Sequence, residues 1–306
     1  MNDRYTDFVD ISFELACTIV NQYDKSILVE SISEIKRGRA NSNYILDTSK
    51  GTFVLRVCRG KSTYDNEIVI ERELDKYIKR PELLYHTVFD GNPYLIYKYI
   101  DSRSLGEMNE ISNEIIEQVA IICAQIHNTS ILRIKDIKKL DLPPFRFWYD
   151  HFLENNNTIK RVGVDVQQRL KKVINSSHKE LESIDSLHTV IHNDFQLDNL
   201  IVDTNKKVFI TDWESATVNH MITDIGQFFR FSKKFSQNQF DIFEHFYNNE
   251  AKVPLPENWY ELARLRDLVN LLQLISSDQE LPNYHMTLKN LIIETLDFFE
   301  SKQNIR

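Results

Sequence analysis

Glycine is the first shortage. The 306-residue chain contains seven, where ordinary usage of about 7% would give roughly twenty. Neither G-x-G-x-x-G nor G-x-x-x-x-G-K-[ST] occurs, which excludes the dinucleotide fingerprint and the Walker A loop as means of holding phosphate. Cysteine is scarce as well: Cys17, Cys58 and Cys123 are odd in number, unrelated in spacing and form no C-x-x-C. Neither a disulfide framework nor a zinc cage is expected, and the free thiols suit a reducing cytoplasm. No apolar run approaches the roughly 18 residues of a membrane span, and Met1–Asp7 shows neither the basic nor the apolar region of a secretory signal. A cytoplasmic protein without a membrane partner is the expectation. Positive charge is also in deficit, with 37 Lys and Arg against 45 Asp and Glu and a net charge of −8. That balance disfavours nucleic acid and anionic surfaces, and it suits a cationic partner.

What is present is a chain able to fold. Hydrophobic residues at 42% and aromatics at 11% exclude disorder, and the length suits one large domain or two lobes sharing a cleft. Phe8, Ile11, Leu15 and Ile19 fall on one helical face. Short β-prone runs follow at 31–35, 44–47 and 52–58, the last two joined by the turn Asp47-Thr48-Ser49-Lys50-Gly51. A helix is predicted over 67–79, stopped by Pro81, and two more strands over 83–89 and 94–100 around Asp90-Gly91-Asn92-Pro93. Beyond Asp101 the pattern becomes helical: Ile115, Val119, Ile122 and Ile126 make one stripe, and Leu170, Val173, Leu181 and Ile184 another. Within it, residues 189–191, 200–202 and 208–210 read as three short strands.

The sharpest chemistry lies among those strands. His192-Asn193-Asp194-Phe195-Gln196-Leu197-Asp198-Asn199 is an H-x-D-x-x-x-x-N, and Asp212 follows at the end of a strand-like run. Phosphoryl transfer needs this set of residue types. Asp194 is the candidate base that takes or orients the nucleophile's hydroxyl proton, with His192 orienting the loop. Magnesium seeks hard oxygen ligands, for which Asp212 and the amide oxygen of Asn199 are suited. Asn and Asp are also ordinary turn formers between strands, and a metal-dependent hydrolase using His188, His192, Asp194 and Asp212 is a rival from another class.

The segments IHNDFQLDNLIV, FITDWESA and MITDIGQFFR closely resemble the aminoglycoside phosphotransferase and choline kinase family, whose recurring pattern is H-G-D-x-x-x-x-N, then I-D-W/F-x-x-A, then D-hydrophobic-G/A. The resemblance implies an α+β, two-lobed protein-kinase-like fold: a small antiparallel β-rich N-lobe over residues 1–100, a connector near 97–101, and a larger mainly helical C-lobe over 101–306. It implies an enzyme using ATP, with GTP open, and Mg2+ to phosphorylate a hydroxyl of a small molecule. An aminoglycoside-like or choline-like cationic acceptor is the first expectation; a neutral sugar, amino acid or macrolide, or a catalytically weak nucleotide-binding module, stay open. So does monomer against homodimer.

By the same resemblance, Arg56 on its strand presents the cation to the α- and β-phosphates, where protein kinases carry Lys. Glu73 of the next helix pairs with it, Glu71 being the fallback. The loop Arg37–Asn43 would cradle phosphate with Gly38, Asn41 and Ser42. The backbones of Lys98 and Ile100 would meet the adenine edge, with Tyr97 behind. Asp224 would anchor the C-lobe, and Glu214 would face substrate or magnesium. His127 is read as a helix C-cap, and Trp148, Tyr149 and His151 as core or pocket wall.

Overall fold

The computed structural model describes residues 8–35, 41–134, 145–184 and 188–303; Gly38 and the Pro143-Pro144 pair lie outside them. In chain order the elements are α1 (Phe13–Tyr23), β1 (Val29–Ile35), β2 (Ser42–Thr48), β3 (Gly51–Val57), α2 (Lys61–Glu73), β4 (Leu83–Phe89), β5 (Asn92–Lys98) and β6 (Ser102–Ser104). Then come α3 (Asn113–His127), α4 (Phe145–Leu153), α5 (Asn156–Val162), α6 (Val164–Ser176), α7 (His178–Ile184) and β7 (Thr189–Ile191). The remainder are β8 (Leu200–Asp203), β9 (Val208–Ile210), β10 (Thr217–Asn219), α8 (Ile222–Phe228), α9 (Gln237–Glu250), α10 (Trp259–Ile275) and α11 (Pro282–Gln303).

Two compact units emerge, Met1–Met108 with Asp198–Ala216, and Asn109–Leu197 with Thr217–Arg306. The boundary therefore falls at 108 rather than at the expected 100, and the segment around Asp212 joins the first unit. Pairing explains this: β8 bonds to β6 and β9, and the Ile210 amide donates to the Lys79 carbonyl.

The first unit is built on an antiparallel sheet in the order β1-β2-β3-β5-β4. Strict alternation buries Tyr44 and Leu46 from β2 and Phe53, Leu55 and Val57 from β3 on one face. Arg56, out of phase with these, points to the other. α1 starts later than its apolar spacing predicts, because the Ser12 hydroxyl accepts from the Leu15 amide and caps it. Phe8 and Ile11 precede the helix yet pack on the same core. α2 runs over Lys61–Glu73 instead of 67–79. It starts directly after Gly60, and Leu74 turns extended.

The second unit is helical apart from the β7–β10 pair. α3 packs on α9, α8 on α10, and α10 also on α4 and α11. The stripe predicted for α3 is buried as expected, whereas the one spanning 170–184 is broken into α6 and α7 at Ser177. Phe228, Phe229, Phe235, Phe243 and Trp259 interlock between α8, α9 and α10. The close approach of α8 to α10 depends on Gly226. A Cβ there would sit 2.5 Å from the Ala263 carbonyl oxygen and 3.2 Å from Asp267 Cβ. Alanine is favoured over glycine in a helix by about 1 kcal/mol, but overpacking against backbone costs typically 1–3 kcal/mol. Gly226→Ala is therefore expected to lower stability by up to about 2 kcal/mol, read as a lower urea midpoint at unchanged slope.

Candidate active site

In the second unit, the loop after β7 is held from below by one carboxylate. Asp224, on α8 and wholly buried, accepts from the His192 amide at Oδ2 and the Asn193 amide at Oδ1, both at 2.8 Å. His127 Nε2 lies 3.2 Å from the same Oδ2, and its Nδ1 is 2.7 Å from the Tyr247 hydroxyl. His127 is thus the carboxylate's side-chain partner rather than a helix cap. A turn later on α8, Gln227 donates to the Asn193 carbonyl at 3.0 Å and accepts from the Phe195 amide at 2.8 Å. Asn193 has φ +63°, a left-handed conformation that glycine and asparagine tolerate best, which accounts for Asn standing at the G of H-G-D. Between these supports sits Asp194, half-buried, its amide donating to His192 Nδ1 at 3.3 Å. His192, fully buried, thereby orients the loop.

In the first unit a second polar cluster surrounds Arg56. Its Nη1 donates to Glu67 Oε1 at 2.6 Å and to Asp212 Oδ1 at 3.0 Å, and its Nε to Asn43 Oδ1 at 3.1 Å. The Tyr97 hydroxyl donates to Glu67 Oε2 at 3.0 Å. Burial would lower Arg56, but Asp212 and Glu67 overcome it and hold the guanidinium well above its ordinary pKa. Glu67 is pushed up to about 7 by burial, against the pull of Arg56. Asp212 has φ +66° and leads into the turn Trp213–Ser215. Glu214, raised by burial and then by Asp212, accepts from Asn41 Nδ2 at 2.6 Å. Asn66 Nδ2 donates to the Glu214 carbonyl at 2.8 Å, tying α2 to this turn.

The partner of Arg56 is therefore Glu67 and neither Glu73 nor Glu71. Glu73 pairs with Arg72 and Glu71 with Arg80. The helix starts six residues earlier than predicted, so its middle turn, not its last, faces β3. A signal existed: Glu67 lies in the stripe Tyr64-Glu67-Ile70, a lone carboxylate at i+3 spacing between apolar neighbours. Asn41 reaches Glu214, while the Ser42 hydroxyl is buried against the Val9 amide, accepting at 2.8 Å. Gly38 is outside the described residues. The Lys98 amide donates to the Glu82 carbonyl at 2.9 Å, and Ile100 follows β5 with its carbonyl taken by the Ser102 hydroxyl. Asn199 anchors its loop by accepting from the Thr211 amide at 2.9 Å through its backbone. Tyr149 is core, its hydroxyl donating to the Leu265 carbonyl, whereas His151 is exposed and Trp148 half-buried. Asn66 and Gln227 carried no motif that sequence reasoning could use.

Among the described residues, no group of three or more His, Cys, Asp or Glu side chains is gathered as a metal cage. Asp212 and Asn199 supply hard oxygens, which fits a magnesium ion completed by phosphate oxygens. The cluster around Arg56 gathers Glu67, Asp212 and Glu214 about the guanidinium, with Arg59 also acting on Glu214.

Glu67 makes the fold pH-sensitive. Between its ordinary value of 4.5 and about 7, the folded protein keeps a proton that the unfolded chain releases, so stability falls as pH rises through that window. At 1.36 kcal/mol per unit, Glu67 contributes a loss of about 2–3 kcal/mol between roughly pH 5 and pH 8, while His220, held down to about 3 by burial, contributes in the opposite direction over the lower part of that window. Urea unfolding at the two pH values should therefore show the stability of wild type falling relative to that of Glu67→Gln by about 2–3 kcal/mol, and a difference that does not change with pH removes the role of Glu67.

Residues 31–264 match the family model described as "Phosphotransferase enzyme family". Human acyl-CoA dehydrogenase family member 11 is 22% identical over 215 residues, covering 65% of this chain and 27% of the relative; the chain thus spans about a quarter of the length of the curated relatives it matches. Aminoglycoside 2'-phosphotransferase-IIIa, solved as a GDP complex, superposes with a TM-score of 0.71 at 15% identity, covering 96% of this chain and 100% of that one. Choline kinase LicA from Streptococcus pneumoniae gives 0.66 at 17% identity, covering 93% and 99%. These likenesses show the kinase-like fold expected from the motifs. Because the family model takes in both the His192–Asn199 loop and the Asp212 turn, the chain belongs to the phosphotransferase enzyme family.

Proposed function

We propose that the chain is an ATP- and Mg2+-dependent kinase that moves the γ-phosphoryl group onto the hydroxyl of a small molecule. The observation that carries this reading is the clamp of Asp224 on the His192 and Asn193 amides, which holds the Asp194 loop in one conformation. A positioned carboxylate contributes typically about 10²–10⁴-fold to proton transfer. Asp194 accepts the hydroxyl proton as the acceptor oxygen bonds to the γ-phosphorus and the bond to the leaving ADP oxygen breaks. Direct displacement of this kind needs no phosphoenzyme. Arg56 neutralises the α- and β-phosphates, held for the task by Asn43 and Glu67. Asp212, whose Oδ2 stands outside its pair with Arg56, and Asn199 hold magnesium, which when bound draws charge from the phosphate oxygens. The GDP complex of a solved neighbour keeps GTP as an alternative donor.

One observation favours a second reading, a weakly catalytic nucleotide-binding module. Arg56 stands where protein kinases carry Lys, and it is ion-paired to the metal-binding candidate Asp212. The two readings separate by measurement. Asp194→Asn is expected to lower phosphoryl transfer by about 10²–10⁴-fold with ATP affinity within about threefold, by coupled ADP assay and calorimetry. A variant as active as wild type removes the role of Asp194. Asp212→Asn is expected instead to weaken Mg2+-dependent ATP binding by at least about tenfold, while binding in EDTA is little changed.

A further inference from the structure

Arginine at position 56 poses a problem of orientation that lysine would not. An ammonium group donates alike in three directions about its stem, whereas a guanidinium is a flat fork whose contacts depend on how its plane is turned. In the first unit two of its three nitrogens are engaged. Asn43 is the cross-strand partner of Arg56 in the β2–β3 register and accepts from Nε at 3.1 Å. Nη1 spends both of its hydrogens, one on Glu67 Oε1 and one on Asp212 Oδ1. Nη2 remains: among the described residues it takes no part in these bonds, and the side chain keeps 11% of its surface exposed.

Glu67 holds this orientation only while its own carboxylate is fixed, and Tyr97 fixes it. On β5, Tyr97 stands opposite Val54 and Leu95 opposite Arg56, so strand alternation puts Tyr97 on the same face as Arg56 and diagonal to it. The Tyr97 hydroxyl donates to Glu67 Oε2 at 3.0 Å. Arg56 Cζ lies 5.8 Å from the Tyr97 ring centre, within reach of a cation–π contact. Glu67, 5% exposed, thus has one oxygen on the guanidinium and the other on the phenol. Burial, and then Glu67, raise the Tyr97 hydroxyl well above its ordinary pKa, so it stays protonated as a donor. Without that hydroxyl Oε2 would be buried and missing its donor, and the carboxylate would turn both oxygens toward the guanidinium. A bidentate grip needs two nitrogens, and it would take Nη2 out of use or pull Nε from Asn43.

We infer that Tyr97 is a positioning residue for nucleotide binding: through Glu67 it turns Arg56 so that Nη2 alone addresses the phosphates, end-on, as an ammonium nitrogen would. This rests on the kinase reading and goes beyond it, because it says how an arginine takes the place of a lysine. The planar group gains the single-nitrogen presentation that lysine has by symmetry, and the phenol and Asn43 are what supply it.

The test measures ADP and adenosine affinities by calorimetry in Mg2+, because their ratio isolates what the phosphates contribute. Tyr97→Phe keeps the ring and removes one oxygen. It is expected to lower ADP affinity at least about fivefold while adenosine affinity stays within about twofold. In an Arg56→Met background the same change should leave ADP affinity unaltered, since no guanidinium remains to be oriented. A hydroxyl that served the fold alone would cost the same in both backgrounds. Arg56→Lys should keep most of the wild-type preference for ADP, whereas Arg56→Met should lose it. An ADP affinity unchanged in Tyr97→Phe, or lowered equally in the Arg56→Met background, overturns the inference and leaves the kinase reading intact. A loss in Arg56→Lys as deep as in Arg56→Met also overturns it, because it marks a bidentate contact. A wild type that binds ADP no better than adenosine overturns the kinase reading, and the inference with it.

Discussion

A carboxylate with no exposed surface must be satisfied by donors, since burying one unpaired costs several kcal/mol. In this protein Asp224 meets that demand with two consecutive backbone amides, His192 and Asn193, and the ring of His127. The requirement runs in both directions. The two amides lie just past the end of β7, and Asp224 accepts from both. Each side thus fixes the other, and the loop carrying Asp194 inherits its shape. Because His127 ends α3 and Tyr247 sits on α9, the same carboxylate also ties these helices to the loop.

The first unit solves a related problem with opposite charge. Arg56 lies among apolar strands and is held by Asn43, Glu67 and Asp212. One backbone position in each cluster sits in the left-handed region, Asn193 at φ +63° and Asp212 at φ +66°. Non-glycine residues reach that region at a cost, and Asn and Asp bear it best. The scarcity of glycine is therefore no obstacle to tight turns. Short polar side chains take over the conformations that glycine would supply, and they bring hydrogen-bonding atoms with them.

Much of this was legible. The succession of strands along the first unit, the α3 stripe and the H-x-D-x-x-x-x-N with its downstream Asp212 follow from local patterns, and local patterns are what a sequence displays most directly. The partner of Arg56 was not, because it depends on where α2 begins, and helix starts set by a glycine and tertiary packing are weakly marked. His127 was misread for a similar reason: capping is a local role, whereas its actual contacts lie 97 and 120 residues away.

The unit that carries Arg56 is discontinuous along the chain. Its first 108 residues build the five-stranded sheet and α2, but β8 and β9, and the carboxylate of Asp212, arrive from beyond residue 198. Contacts of such long sequence separation form slowly, since loop-closure entropy precedes their reward. During synthesis the emerging N-terminal segment therefore has one of its two Arg56 counterions and an unpaired edge at β6. Closure of that unit, and charge balance around its buried arginine, must wait until about two-thirds of the protein has been made.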